Sequence, residues 1–124
     1  MELVECKKKY WAFILFLRKS FKEGFFDQSD ITEEDHERFM KKNHRNYLVC
    51  VDNNKPVGFV GSVDGDIRVA VSEAHQKRGI GKFMLNSFLE NRSNVYAKIK
   101  IDNESSLRLF ESCGFEKKHY ILER

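Results

Sequence analysis

Val69-Ala70-Val71-Ser72-Glu73-Ala74-His75-Gln76-Lys77-Arg78-Gly79-Ile80-Gly81-Lys82 runs from an apolar strand into a helix, and its reading decides the rest of the chain. A helix start leaves its first N–H groups without internal partners, and the helix dipole adds partial positive charge there. Gly79 and Gly81 remove side chains that would hold a phosphate away from those donors, while Lys77, Arg78 and Lys82 add cations beside them. Gln76 to Lys82 is therefore expected to take an anion of the pyrophosphate kind; the plain alternative is a tight turn. Two nucleotide motifs fail on their residues. A P-loop needs Gly where Gln76 stands and Ser or Thr where Phe83 stands. A dinucleotide fingerprint needs Gly where Met84 stands.

Working upstream, Asp64-Gly65 signals a tight hairpin between strands at Val57 to Val63 and Asp66 to Val71. Gly58 and Gly61 inside the first of these point to a bulge or a close backbone approach. Asn53-Asn54-Lys55-Pro56 is a turn after a strand at Tyr47 to Val51. Thr32-Glu33-Glu34-Asp35 has the form of a capping box and opens a helix with His36, Phe39 and Met40 on one face. Tyr10, Phe13, Ile14, Leu17 and Phe21 repeat at helical spacing, with Gly24 as the stop and Leu3 to Cys6 as a short first strand. Downstream, a helix is expected from Gly79 to Glu90, buried through Ile80, Phe83, Met84 and Phe88. Val95 to Ile101 reads as a strand, Asn103 to Gly114 as a helix with a Gly cap, and Phe115 to Leu122 as a final strand. With no repeat and no linker, the order predicts one α/β domain over 1–124.

Composition narrows the function classes. A chain of 124 residues has room for one core, and eleven Phe can fill it with few side chains. A net charge of +3 with no basic stripe argues against nucleic acid as a partner, and Lys7-Lys8-Lys9 reads as a solvated helix start. Cys6, Cys50 and Cys113 lie far apart with no zinc spacing, so no metal is expected and Cys113 reads as packing. Tyr10 to Leu17 is too short to span a bilayer, and no secretory signal opens the sequence. The expectation is a cytoplasmic protein with reduced thiols and no membrane partner.

Gln76-x-x-Gly79-x-Gly81 after an apolar strand resembles motif A of the GNAT superfamily of acyl-CoA N-acyltransferases. Asn103-Glu104-Ser105-Ser106-Leu107-Arg108-Leu109-Phe110-Glu111-Ser112-Cys113-Gly114-Phe115 is similar to that family's later helix, and the order of elements also agrees. The resemblance implies a mostly antiparallel sheet, splayed between strands four and five and flanked by about four helices. It implies acetyl-CoA as cosubstrate, with the backbone of Val69, Ala70 and Val71 along the pantetheine arm. Gln76, Lys77, Arg78, Gly79, Ile80, Gly81 and Lys82 would hold the pyrophosphate. Asn103 would bond the arm, or else cap its helix, with Ser105, Ser106 and Phe110 beside the cofactor. On this reading, Gly81→Glu abolishes CoA binding and leaves the fold intact.

The implied chemistry is attack of a small-molecule amine on the thioester, with a backbone N–H near Ala70 and Val71 polarising the carbonyl. Phe110 stands where the family often has a Tyr that protonates the thiolate. The proton then comes from water, from Tyr96 or from Tyr120, or the thiolate leaves unprotonated. Asp66 is the candidate base; Asp64 reads as a turn residue, Glu73 and His75 as loop residues, and His36 as a satisfied, partly buried His. A lysine-like amine of pKa ~10.4 costs about 4–5 kcal/mol to deprotonate at neutral pH, whereas an amine near ~8 costs about 1. The acceptor is therefore expected to be an amino sugar or an α-amine. Leu17 to Phe26, Ile31 to Phe39, Pro56 to Val60 and Ala97 to Ser106 resemble GNAT enzymes that acetylate nucleotide-linked amino sugars. Lys22, Arg38, Lys41 and Arg45 are candidate cations for a diphosphate or else solvated helix faces, and a peptide N-terminus or other small amine is the alternative acceptor. A CoA-binding module without turnover is the alternative of another class. The short stretch after Phe115 would leave the last strand at an exposed edge that a second copy covers, so a homodimer is expected.

Overall fold

In the computed structural model, residues 1–20 and 31–124 are described. Phe21, Lys22, Gly24 and Phe26, which the sequence reading used, lie outside the described residues.

Two tight turns set the sheet. Asn53 and Asn54 take φ of 51° and 63°, and Asp64 and Gly65 take 51° and 85°. Positive φ at both central residues matches the right-handed twist of the flanking strands, and Asn, Asp and Gly adopt it most readily. The turns link β2 (Tyr47–Asp52), β3 (Lys55–Val63) and β4 (Asp66–Val71), and β1 (Glu2–Glu5) pairs antiparallel with β2 to give the order β1-β2-β3-β4.

Side chains alternate across this sheet into two cores. Tyr47, Val49, Val51, Phe59 and Ala70 meet α1 (Trp11–Ser20) and α2 (Glu33–Asn43) through Ile14, Leu17 and Met40. Cys50, Val57, Val60 and Ile67 meet α3 (Ile80–Leu89) and α4 (Glu104–Ser112) through Ile80, Met84, Leu85, Phe88 and Phe110. Val57 and Val60 face the same side because the register shifts there: Cys50 pairs with Gly58 and Val51 with Pro56, leaving Val57 as the extra residue of a bulge. A Cβ on Gly58 would stand 2.7 Å from the Ala70 carbonyl oxygen and 2.9 Å from Met84 Cε, so the expected close approach is real. Thr32 caps α2 by accepting from the Asp35 N–H at 3.0 Å.

Two expected strands are absent. Val95 to Ile101 is reduced to one parallel bridge, in which the Ile67 N–H donates to the Tyr96 carbonyl at 2.8 Å and the Tyr96 N–H to the Gly65 carbonyl at 2.9 Å. The alternation read from sequence is still physical, since Val95, Ala97 and Ile99 pack on the α3/α4 core. What fails is the ladder, because β4 and this segment part after the bridge. Phe115 to Leu122 forms no strand either. Phe115 is anchored by its N–H to the Phe110 carbonyl and by an edge-on ring contact at 5.0 Å, but among the described residues no strand pairs with those after it. The premise of the dimer expectation, a final strand at an exposed edge, goes with it. The α/β fold is otherwise as expected: an antiparallel sheet that opens beyond its fourth strand, with four α-helices among the described residues.

Candidate active site

The loop between β4 and α3 is closed by its own polar groups. Gln76 Nε2 donates to the Val71 carbonyl at 3.2 Å, and Ser72 Oγ lies 2.6 Å from His75 Nδ1. Arg78 reaches across to Asp52 at 3.2 Å. Gln76 and Arg78, read from sequence as anion holders, thus also fix the loop's shape. Lys77 and Gly79 take φ of 63° and 77°. The turn sends the chain into α3, whose first-turn N–H groups lie beside the exposed Lys77 and Lys82.

The two glycines have different tasks. Around Gly79 a Cβ would meet nothing within 4 Å, so its requirement is the left-handed φ and the space it leaves. A Cβ on Gly81 would stand 3.1 Å from Leu109 Cδ2, so this glycine lets α3 pack on α4. The expectation for Gly81→Glu is corrected accordingly: a carboxylate there meets Leu109, and the substitution disturbs packing as well as any anion site.

Beyond the Tyr96 bridge, the outer edge of β4 faces a cleft. Backbone groups alternate along a strand, and Ile67 donates outward to Tyr96, so Val69 and Val71 also point their N–H and C=O outward. Ala70 points into β3 instead. Of the N–H groups near Ala70 and Val71 that the sequence reading offered as oxyanion donors, that of Ala70 points into β3 and that of Val71 points outward. Asp66, Arg68 and Val69 from β4 line the cleft with Tyr47 and Phe59 from β2 and β3 and Arg18 from α1. Lys98, Ile99, Asn103, Ser106 and Phe110 form the opposite wall.

Asp66 is half-buried there. Burial raises its carboxyl pKa, against the opposing pull of Arg68 and then Lys98, and its carboxylate lies 3.8 Å from the Arg68 guanidinium. Asn103 is the cap of α4, accepting from the Ser106 N–H at 3.2 Å and from Ser105 Oγ at 3.3 Å, so the capping alternative is realised while the residue still lines the cleft. Ser105 itself is exposed. Phe110 fills the position where a phenol was sought. Tyr96 is half-exposed at the bridge, and Tyr120 is 91% exposed and does not line the cleft. Arg38 pairs with Asp35 and Lys41 with Glu37, so these cations serve the surface of α2; the cleft takes its cations from Arg18, Arg68 and Lys98.

Among the cleft residues that sequence reading did not assign to the site, beside Arg18, Arg68 and Lys98, is Tyr47. It stands in one row with Gly61 and Arg68 across three strands. A Cβ at Gly61 would fall 2.5 Å from its ring, so the ring lies over the glycine and its hydroxyl meets Arg68. The available signal was Gly61 itself, but its partner becomes visible only with the register. His36 is buried, with Nε2 2.7 Å from the Trp11 carbonyl and Nδ1 3.0 Å from Arg18. A carbonyl can only accept and a guanidinium can only donate, so His36 is the neutral tautomer with its proton on Nε2.

The profile of the acetyltransferase (GNAT) family matches residues 11–115. The chain belongs to this family. Among curated relatives, an uncharacterized N-acetyltransferase of Methanocaldococcus jannaschii is 27% identical over 99 residues, covering 66% of this chain and 44% of the relative. Spermidine N(1)-acetyltransferase of Vibrio cholerae is 20% identical over 112 residues, covering 79% of this chain and 65% of the relative. This GNAT chain thus spans from under half to about two thirds of the length of these two relatives. Its fold matches the crystal structure of spermidine N-acetyltransferase from Vibrio cholerae in complex with CoA and spermine, with a TM-score of 0.84 at 17% identity over 99% of this chain and 85% of that one. Ribosomal-protein-alanine N-acetyltransferase from Brucella melitensis matches with a TM-score of 0.81 at 18% identity over 96% and 86%.

Proposed function

We propose that this GNAT chain transfers an acetyl group from acetyl-CoA to a primary amine of a small molecule. The observation that carries the reading is the pairing of an unladdered β4 edge with an α3 start emptied of side chains at Gly79. An extended arm with amide groups fits beside Val69 and Val71 as a strand would, and its pyrophosphate fits the first turn of α3 flanked by Lys77 and Lys82. Acetyl-CoA supplies an activated thioester carbonyl.

The chain's own residues do the rest. An outward N–H of Val69 or Val71 stabilises charge on the carbonyl oxygen. The amine nitrogen bonds to the carbonyl carbon as the carbon–sulfur bond breaks; Asp66 accepts the amine's proton, and the thiolate takes one from water. Phe110 keeps that region dry without donating, and Tyr120 is left without a role in this scheme. An amine of low basicity fits a single carboxylate base. An amino group on a nucleotide-linked sugar is the finer reading, supported by the basic lining of the cleft from Arg18, Arg68 and Lys98 among the described residues. Free Cys6, Cys50 and Cys113 suit a reducing, cytoplasmic setting. Exposed Tyr120, Ile121 and Leu122 offer a second copy an apolar contact, and sedimentation reads the resulting homodimer.

CoA release from acetyl-CoA, followed with a thiol reagent against nucleotide-linked amino sugars, spermidine and peptides with free N-termini, tests the reading. Turnover with an amine supports it. Tight CoA binding with no turnover on any amine supports the non-catalytic module instead.

A further inference from the structure

Asp66 and Arg68 stand two residues apart on β4, so both side chains leave the same face of the sheet. Register adds a third member: Tyr47, Gly61 and Arg68 are paired side by side across β2, β3 and β4. With no side chain at Gly61, the Tyr47 ring lies across the middle strand, where a Cβ would fall 2.5 Å from it. Its hydroxyl thereby meets Arg68. Burial raises the Tyr47 phenol above its ordinary 10.0, against the pull of Arg68 and Arg18, so it stays a neutral hydroxyl. A guanidinium only donates, so the phenol oxygen accepts from it. The same guanidinium lies 5.8 Å from the centroid of Phe39, within reach of that ring.

Arg68 is thus held on two sides, and on a third it lies 3.8 Å from the Asp66 carboxylate. That spacing decides its effect. A charge-assisted hydrogen bond closes to ~2.7–2.9 Å and occupies the carboxylate's lone pairs. At 3.8 Å the positive charge still favours the ionised carboxylate, while its oxygens stay open to a proton. A general base needs both. Burial works the other way, raising the Asp66 carboxyl against Arg68 and then Lys98. The charged groups that line the cleft with Asp66, among the described residues, are Arg68 on its own strand, Lys98 on the facing wall and Arg18 from α1. Of the two that act on Asp66, Arg68 pulls harder than Lys98.

We propose that Arg68 is the positioning residue of the Asp66 base: held by the Tyr47 hydroxyl, it keeps one positive charge beside the carboxylate without closing on the oxygens that accept the amine's proton. Gly61 belongs to the same device, since a side chain there would displace the ring that holds Arg68. The proposal deepens the acetyl-transfer reading and rests on it.

The pH profile of kcat/KM, measured with the best amine of the acceptor panel, tests it. Arg68→Gln takes the charge away, so the acid limb moves to higher pH. On that limb kcat/KM falls about tenfold, and on the plateau much less. Arg68→Lys restores the charge and returns the limb toward wild type. Tyr47→Phe keeps the ring but frees Arg68 to close on Asp66, so the limb moves to lower pH while the plateau falls about fivefold. A loss of packing does not move the limb in opposite directions in two neighbours. A limb that stays put in Arg68→Gln, or that moves the same way in Arg68→Gln and Tyr47→Phe, overturns the proposal.

Asp66→Asn separates the two readings. An acid limb that persists in that variant removes Asp66 as the base, and this proposal falls with it. A limb that vanishes there but ignores Arg68→Gln sinks this proposal alone. A second readout needs no turnover: the Asp66 carboxyl carbon is titrated by NMR in the CoA-free protein. A midpoint that rises in Arg68→Gln supports the proposal, and an unmoved midpoint overturns it. If no amine turns over, the acetyl-transfer reading falls, and that midpoint then decides the pairing of Arg68 with Asp66 alone.

Discussion

The face of the sheet under α3 and α4 buries apolar side chains, whereas the face under α1 and α2 carries charge toward the core. On the first, Cys50, Val57, Val60 and Ile67 meet Ile80, Met84, Leu85 and Phe88. On the second, His36 is buried between the Trp11 carbonyl and Arg18, and Arg68 lies over Phe39 beside Tyr47. Burial on the first face needs only shape and apolar area, and it packs α3 beneath the β4–α3 loop. The second needs a bond for each polar group it buries, and no buried side-chain N or O among the described residues lacks one. A common cofactor end fits a face that tolerates little change, and an acceptor end fits a face whose polar groups can be re-specified.

The largest effect expected from breaking this contrast is Asp66→Asn. Removing a general base costs roughly a hundred- to ten-thousandfold in rate. CoA affinity, set at the other end, should hold. Burial raises the Asp66 carboxyl from its ordinary 3.8, and the carboxylate must be ionised to accept a proton. Wild-type kcat/KM should therefore fall, as pH drops, at a higher pH than for an ordinary carboxylate. That acid limb should vanish in the Asn variant. If it persists in the variant, Asp66 is not the base.

Gly61→Ala comes next and acts on the acceptor face alone. A methyl 2.5 Å from the buried Tyr47 ring forces the ring to move, at a cost of about 1–3 kcal/mol in urea denaturation. The folded fraction should keep its CoA affinity and lose acceptor turnover. Equal losses in both would mean that the two faces are not separable.

The same contrast explains how much was legible in the sequence. The proposed cofactor end is contiguous: Gln76 to Lys82 is one strand-to-helix turn, and its backbone donors follow from chain direction alone. The two tight turns were equally readable, because Asn53-Asn54 and Asp64-Gly65 are local demands on φ. The proposed acceptor wall draws Arg18, Tyr47 and Arg68 from α1, β2 and β4, and their adjacency depends on a register that no local pattern encodes. The opposite error occurred at Val95 to Ile101 and Phe115 to Leu122. Val95 to Ile101 alternates loosely but meets β4 through the single Tyr96 bridge, and periodicity carries no information about the partner.

Gly79 and Gly81 sharpen the comparison within the cofactor end. Gly79→Ala keeps its space but must hold φ near 77°, a cost of about 1–2 kcal/mol, so CoA binding should weaken by about tenfold as the loop relaxes. Gly81→Ala gains about 1 kcal/mol of helix propensity and meets the flexible end of Leu109 at 3.1 Å, so the two nearly offset. Thermal melts and CoA calorimetry on both variants read the difference. A weaker effect at 79 than at 81 would reverse the tasks assigned to the two glycines.

The smallest effect is a pH dependence of stability. His36 has its pKa lowered from the ordinary 6.5, chiefly by burial, with Arg18 and Lys19 adding to the shift against the bond to the Trp11 carbonyl. Below 6.5 the unfolded chain takes up a proton that the folded chain refuses, so the unfolded state binds more protons and stability must fall as pH falls through that window. A protonated ring would also lose the Nδ1 lone pair that accepts from Arg18 and would place a third positive charge beside Arg18 and Arg68. His36→Gln should flatten the slope of Tm against pH between about 6.5 and the lowered folded-state value, because an amide does not titrate. An unchanged slope in the variant would place the proton uptake elsewhere and leave His36 with a packing role alone.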